Sequence, residues 1–238
     1  MTERYSDDFE TPVLAPGESP LHGYRGADED QSSQTIPLGL TIAISREAGA
    51  RGATIARKAG EKLGWEVYSQ DMLEFGAQNS AFRQDVLARL PAGAADWIEE
   101  HVQHLLEQPN LSHNPNIVDL ARLVLSLGAQ GNVILLGRGA GFLLPARSSL
   151  HVRLVAPLQD RIAYMSQWLR LTDEEAAEQV RKRDHRRTDY LATHFHRKPN
   201  DVHVYDLIIN TSKFGEERSA DLVVAAAKAK MAAVMGMD

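Results

Sequence analysis

The chain has 238 residues, 43% hydrophobic and 24% charged, the balance of a globular protein with room for one domain or one domain plus an insert. It contains no cysteine, which excludes disulfides, thiolate metal sites, iron–sulfur clusters and cysteine nucleophiles. The net charge of -6 belongs wholly to residues 1–38, where eight acidic residues face two basic ones, so the rest of the chain is neutral and has no general field favouring nucleic acid.

Residues 1–38 hold four of the ten prolines and the run Gln31-Ser32-Ser33-Gln34, a composition that predicts a disordered acidic tail, either inert or a docking segment. No basic-then-apolar leader opens the chain and no apolar run reaches the roughly 18 residues of a membrane span, so the expected setting is the cytoplasm, away from membranes. Residues 40–45 are predicted to form a buried strand, followed by a glycine turn and a helix over 54–63. A second strand is expected at 65–68, and 71–130 reads as helical, broken at Pro91, Pro109 and Pro115. Strands over 133–136 and 150–156 and a helix over 158–169 follow. Thr172 then opens a helix to about Tyr190 as an N-cap, with Glu175 completing a capping box. A last strand over 206–210 and a helix over 216–234 close the chain. Strands alternating with helices predict a three-layer α/β fold with a mostly parallel central sheet flanked by helices, carried by residues 39–238 with a helical insert over 71–131.

Three segments carry chemistry. Ser45-Arg46-Glu47-Ala48-Gly49-Ala50-Arg51-Gly52-Ala53-Thr54 joins the first strand to the first helix, where backbone N–H groups and a helix N-terminus attract anions. It is not a Walker A motif, because it has no lysine, and the bare pattern is a weak signal that favours a structural turn. Gly137-Arg138-Gly139-Ala140-Gly141 places an arginine just past a strand's carboxyl end, where open α/β sheets bind ligands and a guanidinium can fork onto a phosphate; the bland alternative is a tight turn with a solvated arginine. Arg183, Arg186 and Arg187 lie on roughly one side of a helix that can close over polyphosphate or simply face solvent. The histidine pairs His101/His104 and His194/His196 lack a third ligand at metal-site spacing, so no protein metal site is expected.

Together with Asp206-Leu207-Ile208-Ile209-Asn210-Thr211-Ser212, these stretches resemble the cytidylate kinase-like family of P-loop nucleoside monophosphate kinases, over residues 40–234. The resemblance implies that Ser45, Arg46, Gly49, Ala50, Gly52, Ala53 and Thr54 hold the ATP phosphates, with Asn210, Thr211 and Ser212 near the donor base. It implies that Gly137, Arg138, Gly139 and Asp71 hold the acceptor phosphate, and that Arg183 and Arg186 act from a helical lid within 172–200. The implied reaction moves the γ-phosphoryl of ATP, as its magnesium complex, to CMP or a related monophosphate. Its partners are thus small-molecule nucleotides, and a homodimer is left open. Two departures stand out: Gly52 stands at the Walker lysine of better-known relatives, with Arg51 expected to supply the lost charge and Arg46 as the alternative, and Ser69 stands where an aspartate is common. A nucleotide-binding regulator without turnover and an interaction module built on the helical insert are the rival readings.

Overall fold

The structure is a computed structural model that describes residues 36–108 and 110–235; the expected tail falls outside them up to residue 35. At the tail's expected end the Leu38 amide donates to the Ala129 carbonyl at 2.9 Å, so packed chain begins before Gly39.

Strand β1 (Thr41–Arg46) is buried on both faces, as its unbroken run Ile42-Ala43-Ile44 requires of a central parallel strand. Helix α1 (Gly52–Leu63) follows, with Ile55, Ala56 and Ala59 turned to the sheet and Gly64 ending it in a left-handed conformation. Strand β2 (Glu66–Tyr68) leads into four helices, α2 (Gln70–Gln78), α3 (Ser80–Ala88), α4 (Ala94–Glu107) and α5 (Pro115–Gln130). The breaks fall where capping chemistry puts them: Ser69, Asn79 and Asn114 each accept a backbone N–H with the side chain, and Pro115 starts α5 where its missing N–H costs nothing. Strand β3 (Val133–Leu136), the short α6 (Ala140–Leu143), β4 (Ser149–Val155), α7 (Leu158–Leu169), α8 (Asp173–Phe195), β5 (Leu207–Asn210) and α9 (Thr211–Met235) complete the order. The capping box of Thr172 and Glu175 is formed as expected, whereas α8 runs on past Tyr190 to Phe195. Helix α9 is interrupted at Gly215 (φ 71, ψ 179), so its long arm begins where the sequence places the last helix.

The five strands pair in the order β2-β3-β1-β4-β5, all parallel, with Ile44 opposite Leu136 and Val152. Helices α1 and α9 cover one face, where Ile42, Ile44, Ile55, Val152, Leu154 and Val223 form a core. On the other face α5 packs against the sheet and the rest of the insert packs on α5, burying Leu73, Val102, Leu123, Val124 and Leu135. Leu191 and Phe195, from the second half of α8, are buried in that same core. A third small core, Ala48, Ile162, Met165, Ala176 and Val180, joins the β1–α1 loop to α7 and α8. The outcome is a three-layer fold whose strands all point their carboxyl ends toward one edge, where the two glycine-containing loops lie and helix α8 brings the third motif, the usual ligand edge of such a sheet.

Candidate active site

The β1–α1 loop curls tightly. The Ala50 amide donates to the Glu47 carbonyl at 3.2 Å, Gly49 has φ 81, and Arg51, the residue before α1, has φ 57. At Gly49 an added Cβ would lie 2.6 Å from the Arg161 carbonyl oxygen, so a side chain there would push the loop off α7. Arg138 is likewise left-handed at φ 54. Arg51 and Arg138 thus both hold a backbone conformation that side chains seldom enter, at the same edge of the sheet.

Arg46 occupies the centre. Its side chain runs from the end of β1 over Gly52, where a Cβ would meet its Cγ at 2.9 Å, and its Nη1 fills the space that a Cβ on Gly137 would need. Nη2 donates to Gln70 Oε1 at 3.4 Å. Burial, then repulsion from Arg187 and Arg138, pushes its pKa down to about 9, partly offset by Asp71 on the first turn of α2. Arg138 is also lowered, chiefly by burial; it pairs with Glu74 of α2, lies 4.8 Å from the centre of the Tyr190 ring and leaves its buried Nε without a partner. Arg187 is lowered by burial first, and Asp184 acts against that. Arg138 faces Glu74 and Arg187 faces Asp184, which leaves Arg46, offset only by Asp71, as the least neutralised of the three dehydrated guanidiniums.

The other expected residues fall into separate places. Ser45 accepts from Arg153 Nη1 at 3.4 Å beneath the loop. Ala53 and Thr54 sit on the first turn of α1, Ala53 exposed and Thr54 half-buried. Arg51 turns away from Arg46: its guanidinium lies 5.0 Å from the Tyr164 ring centre and 4.0 Å from Glu216. It lines a cleft of about 210 Å³ with Asp160, Tyr164, Gln167 and Ser212. Asn210 accepts from the Ser212 amide, and Thr211 is buried with its hydroxyl on the Val155 carbonyl at 3.3 Å. Gly137 and Gly139, at φ 87 and 71, flank Arg138. On α8, Arg183 and Arg187 lie four apart on the inward side, whereas Arg186 is exposed. Ser69 caps α2 rather than facing the site.

Residues the sequence did not single out complete the arrangement. Asp184 Oδ1 accepts from the Ala48 amide of the loop at 2.7 Å and from Arg187 Nη1 at 3.3 Å, and Arg161 Nη1 reaches Asp184 Oδ2 at 2.5 Å. The only signal was the position of Asp184 within the basic run of α8. The histidines have structural partners, His101 the Trp97 carbonyl within its own helix and His194 the distant Ser112 hydroxyl. Among the described residues no group of three His, Asp or Glu is placed to hold a metal ion, and no helix is long and apolar enough to cross a membrane.

Residues 41–213 match the family model described as the cytidylate kinase-like family. The chain is 25% identical over 184 residues to a cytidylate kinase of Ignicoccus hospitalis, covering 76% of this chain and 95% of that protein. It is 33% identical over 103 residues to a protein of Corynebacterium glutamicum named uronate isomerase, but those residues are 43% of this chain and only 20% of that protein. A crystal structure of an uncharacterized protein from Eubacterium ventriosum superposes with a TM-score of 0.56 at 16% identity, over 79% of this chain and 98% of that one, and so shares the fold. With a glycine-containing loop after β1, an arginine after β3 and a basic helix near the strand ends, and with the family match spanning most of its length, this chain belongs to the cytidylate kinase-like family.

Proposed function

We propose that the chain transfers the γ-phosphoryl group of ATP to a nucleoside monophosphate, with CMP as the acceptor, in the cytoplasm. One observation carries the reading: the Arg46 guanidinium lies between Gly52 and Gly137, and burial together with the charges of Arg138 and Arg187 makes its unneutralised state costly. A polyanion relieves that cost. Gly52 is the position of the missing lysine, so Arg46, not Arg51, is the cation we assign to the β- and γ-phosphates. Arg138 takes the acceptor phosphate, and the loop amides with the α1 N-terminus cradle the donor. An acceptor phosphate oxygen attacks the γ-phosphorus, the bond to the bridging oxygen breaks, and ADP leaves with that electron pair. Charge spreads over the equatorial oxygens during this step, and Arg46, Arg183 and Arg187 are the groups to stabilise it. Arg51 then belongs to the donor-base side, with Ser212 and Tyr164.

Magnesium fits as a companion of the nucleotide: with no three-residue ligand group among the described residues, the phosphates supply most of its ligands, and Thr54 and Asp71 are the protein oxygens we assign to the donor and acceptor sides. When bound it neutralises charge on the β- and γ-phosphates.

A second reading, a nucleotide-binding regulator without turnover, draws on two carboxylates already seated on anion-binding groups, Asp184 on the Ala48 amide and Glu74 on Arg138. A panel of ATP and GTP against CMP, dCMP, UMP and AMP, followed by turnover and by thermal stabilisation, separates the readings. Transfer to CMP is expected. Stabilisation by ATP without transfer to any acceptor would favour the regulator, and no stabilisation by any nucleotide would leave the helical insert as an interaction module.

A further inference from the structure

Arg161 of α7 is buried and its contacts converge on the phosphate loop. Its Nε donates to the Ala156 carbonyl at 3.0 Å and lies 3.4 Å from Glu47 Oε2, which itself accepts from the Ala156 amide at 3.1 Å. Its Nη1 donates to the Ala48 carbonyl at 3.2 Å and to Asp184 Oδ2. The other oxygen of Asp184 holds both the Ala48 amide and Arg187. One guanidinium thus ties together the loop after β1, the loop after β4 and the basic helix α8. Its own backbone carbonyl lies where the loop's Gly49 passes closest.

We infer that Arg161 is a positioning residue for phosphoryl transfer, acting through Asp184 to hold Arg187 over the phosphate loop. This rests on the kinase reading above. A planar fork can serve the Ala48 carbonyl, the Ala156 carbonyl and a carboxylate at fixed angles, whereas a lysine offers one flexible point charge. With the fork removed, the partly exposed Asp184 carboxylate keeps the Ala48 amide and Arg187 but loses the contact that fixes it against α7, so both of those groups share its displacement. The loop and the arginine are therefore set by one shared contact, so the two should fail together rather than independently.

The test is a double-mutant cycle between Arg161 and Arg187, read by single-turnover transfer from ATP to CMP and by ATP affinity in calorimetry. Arg187→Ala alone should lower the transfer rate by about 10³-fold. Arg161→Lys should lower it by about 10- to 100-fold, the scale of a misplaced group, while the acceptor KM stays within about twofold because Arg138 is untouched. The double variant should transfer at the rate of Arg187→Ala alone. If Arg187→Ala costs the same factor in the Arg161→Lys background as in the wild type, or if Arg161→Lys transfers at the wild-type rate, the inference is overturned. Asp184→Asn, nearly isosteric, runs the same cycle should Arg161→Lys fold poorly, and the same two outcomes decide. If the wild type transfers to no acceptor, the kinase reading fails by itself, and the cycle is read on ATP affinity: non-additive losses keep the positioning link and additive ones remove it.

Discussion

Arg46 Nη1 lies in the space a side chain on Gly137 would take, so the first and second glycine-rich turns are fitted around one guanidinium. The same side chain also crosses Gly52, and the proposed function therefore has the charge of the absent lysine come from the end of the strand instead of from the helix.

Removing that charge should therefore matter more than removing its neighbour. Arg46→Ala is expected to lower the single-turnover rate by about 10²- to 10³-fold, the scale of one donor that serves the transition state. Arg51→Ala loses a partly exposed ion pair and a ring contact, worth about 1 kcal/mol of stability, and should change the rate by less than about 10-fold because the guanidinium lies on the Tyr164 side. Rates and calorimetric affinities for both variants check the order. A larger rate loss at Arg51 would return the role to that residue.

Reinstating the lysine should fail unless Arg46 goes. A Cβ at Gly52 already lies 2.9 Å from Arg46 Cγ, so Gly52→Lys forces Arg46 out of the site and places two cations in one dehydrated space. We expect Gly52→Lys to transfer more slowly than wild type, by about 10-fold or more on the scale of a misplaced catalytic group. The double variant Arg46→Gly/Gly52→Lys should recover at least part of the loss. A double variant slower than the single one would show that the two positions do not exchange roles.

Under the proposed function, Glu74 would compete with the acceptor for Arg138, with which it pairs. Glu74 is partly exposed, so its pairing is worth about 1 kcal/mol, and Glu74→Gln should lower the acceptor KM by about fivefold. Arg138→Ala should raise it by roughly 10- to 100-fold, the worth of a charge-assisted bond, with ATP affinity unchanged. Steady-state kinetics at saturating ATP measure both. An acceptor KM indifferent to both substitutions would remove Arg138 from the acceptor site.

Acid should destabilise the fold through His151. This ring is buried against Gly141, Phe142 and Tyr205 with Nδ1 on the Val204 carbonyl, and burial pushes its pKa down from 6.5 to about 4. Between those values the unfolded chain holds more protons than the folded one, so stability rises with pH across the window and is lost as pH falls from 6.5 through about 4. The full effect is on the order of 3 kcal/mol. Denaturant titrations at steps across this window should show the loss, and His151→Gln should flatten it. Parallel curves for the two proteins would assign the acid sensitivity elsewhere.

The sequence by itself determined the elements and their chemistry type. Hydrophobic runs of strand length placed β1 and β3, Thr172 and Glu175 opened α8, and Pro91 and Pro115 divided the insert, because caps, prolines and periodicity act over one or two turns of chain. The glycine-rich turns after β1 and β3 were legible for the same reason. Which arginine reaches the centre was decided only in three dimensions. Arg46 and Arg51 stand five apart in one turn, and their directions depend on the pleat at the end of β1, on the left-handed backbone of Arg51, and on Tyr164 and Glu216 far along the chain. Arg161 and Asp184 escaped the sequence altogether. Asp184 reads there as one acid in a basic helix, and only packing of α7 and α8 against the β1–α1 loop brings its carboxylate to the Ala48 amide, 136 positions away. Contacts of that separation follow from how buried faces pair across the sheet, and a local pattern carries no record of the pairing.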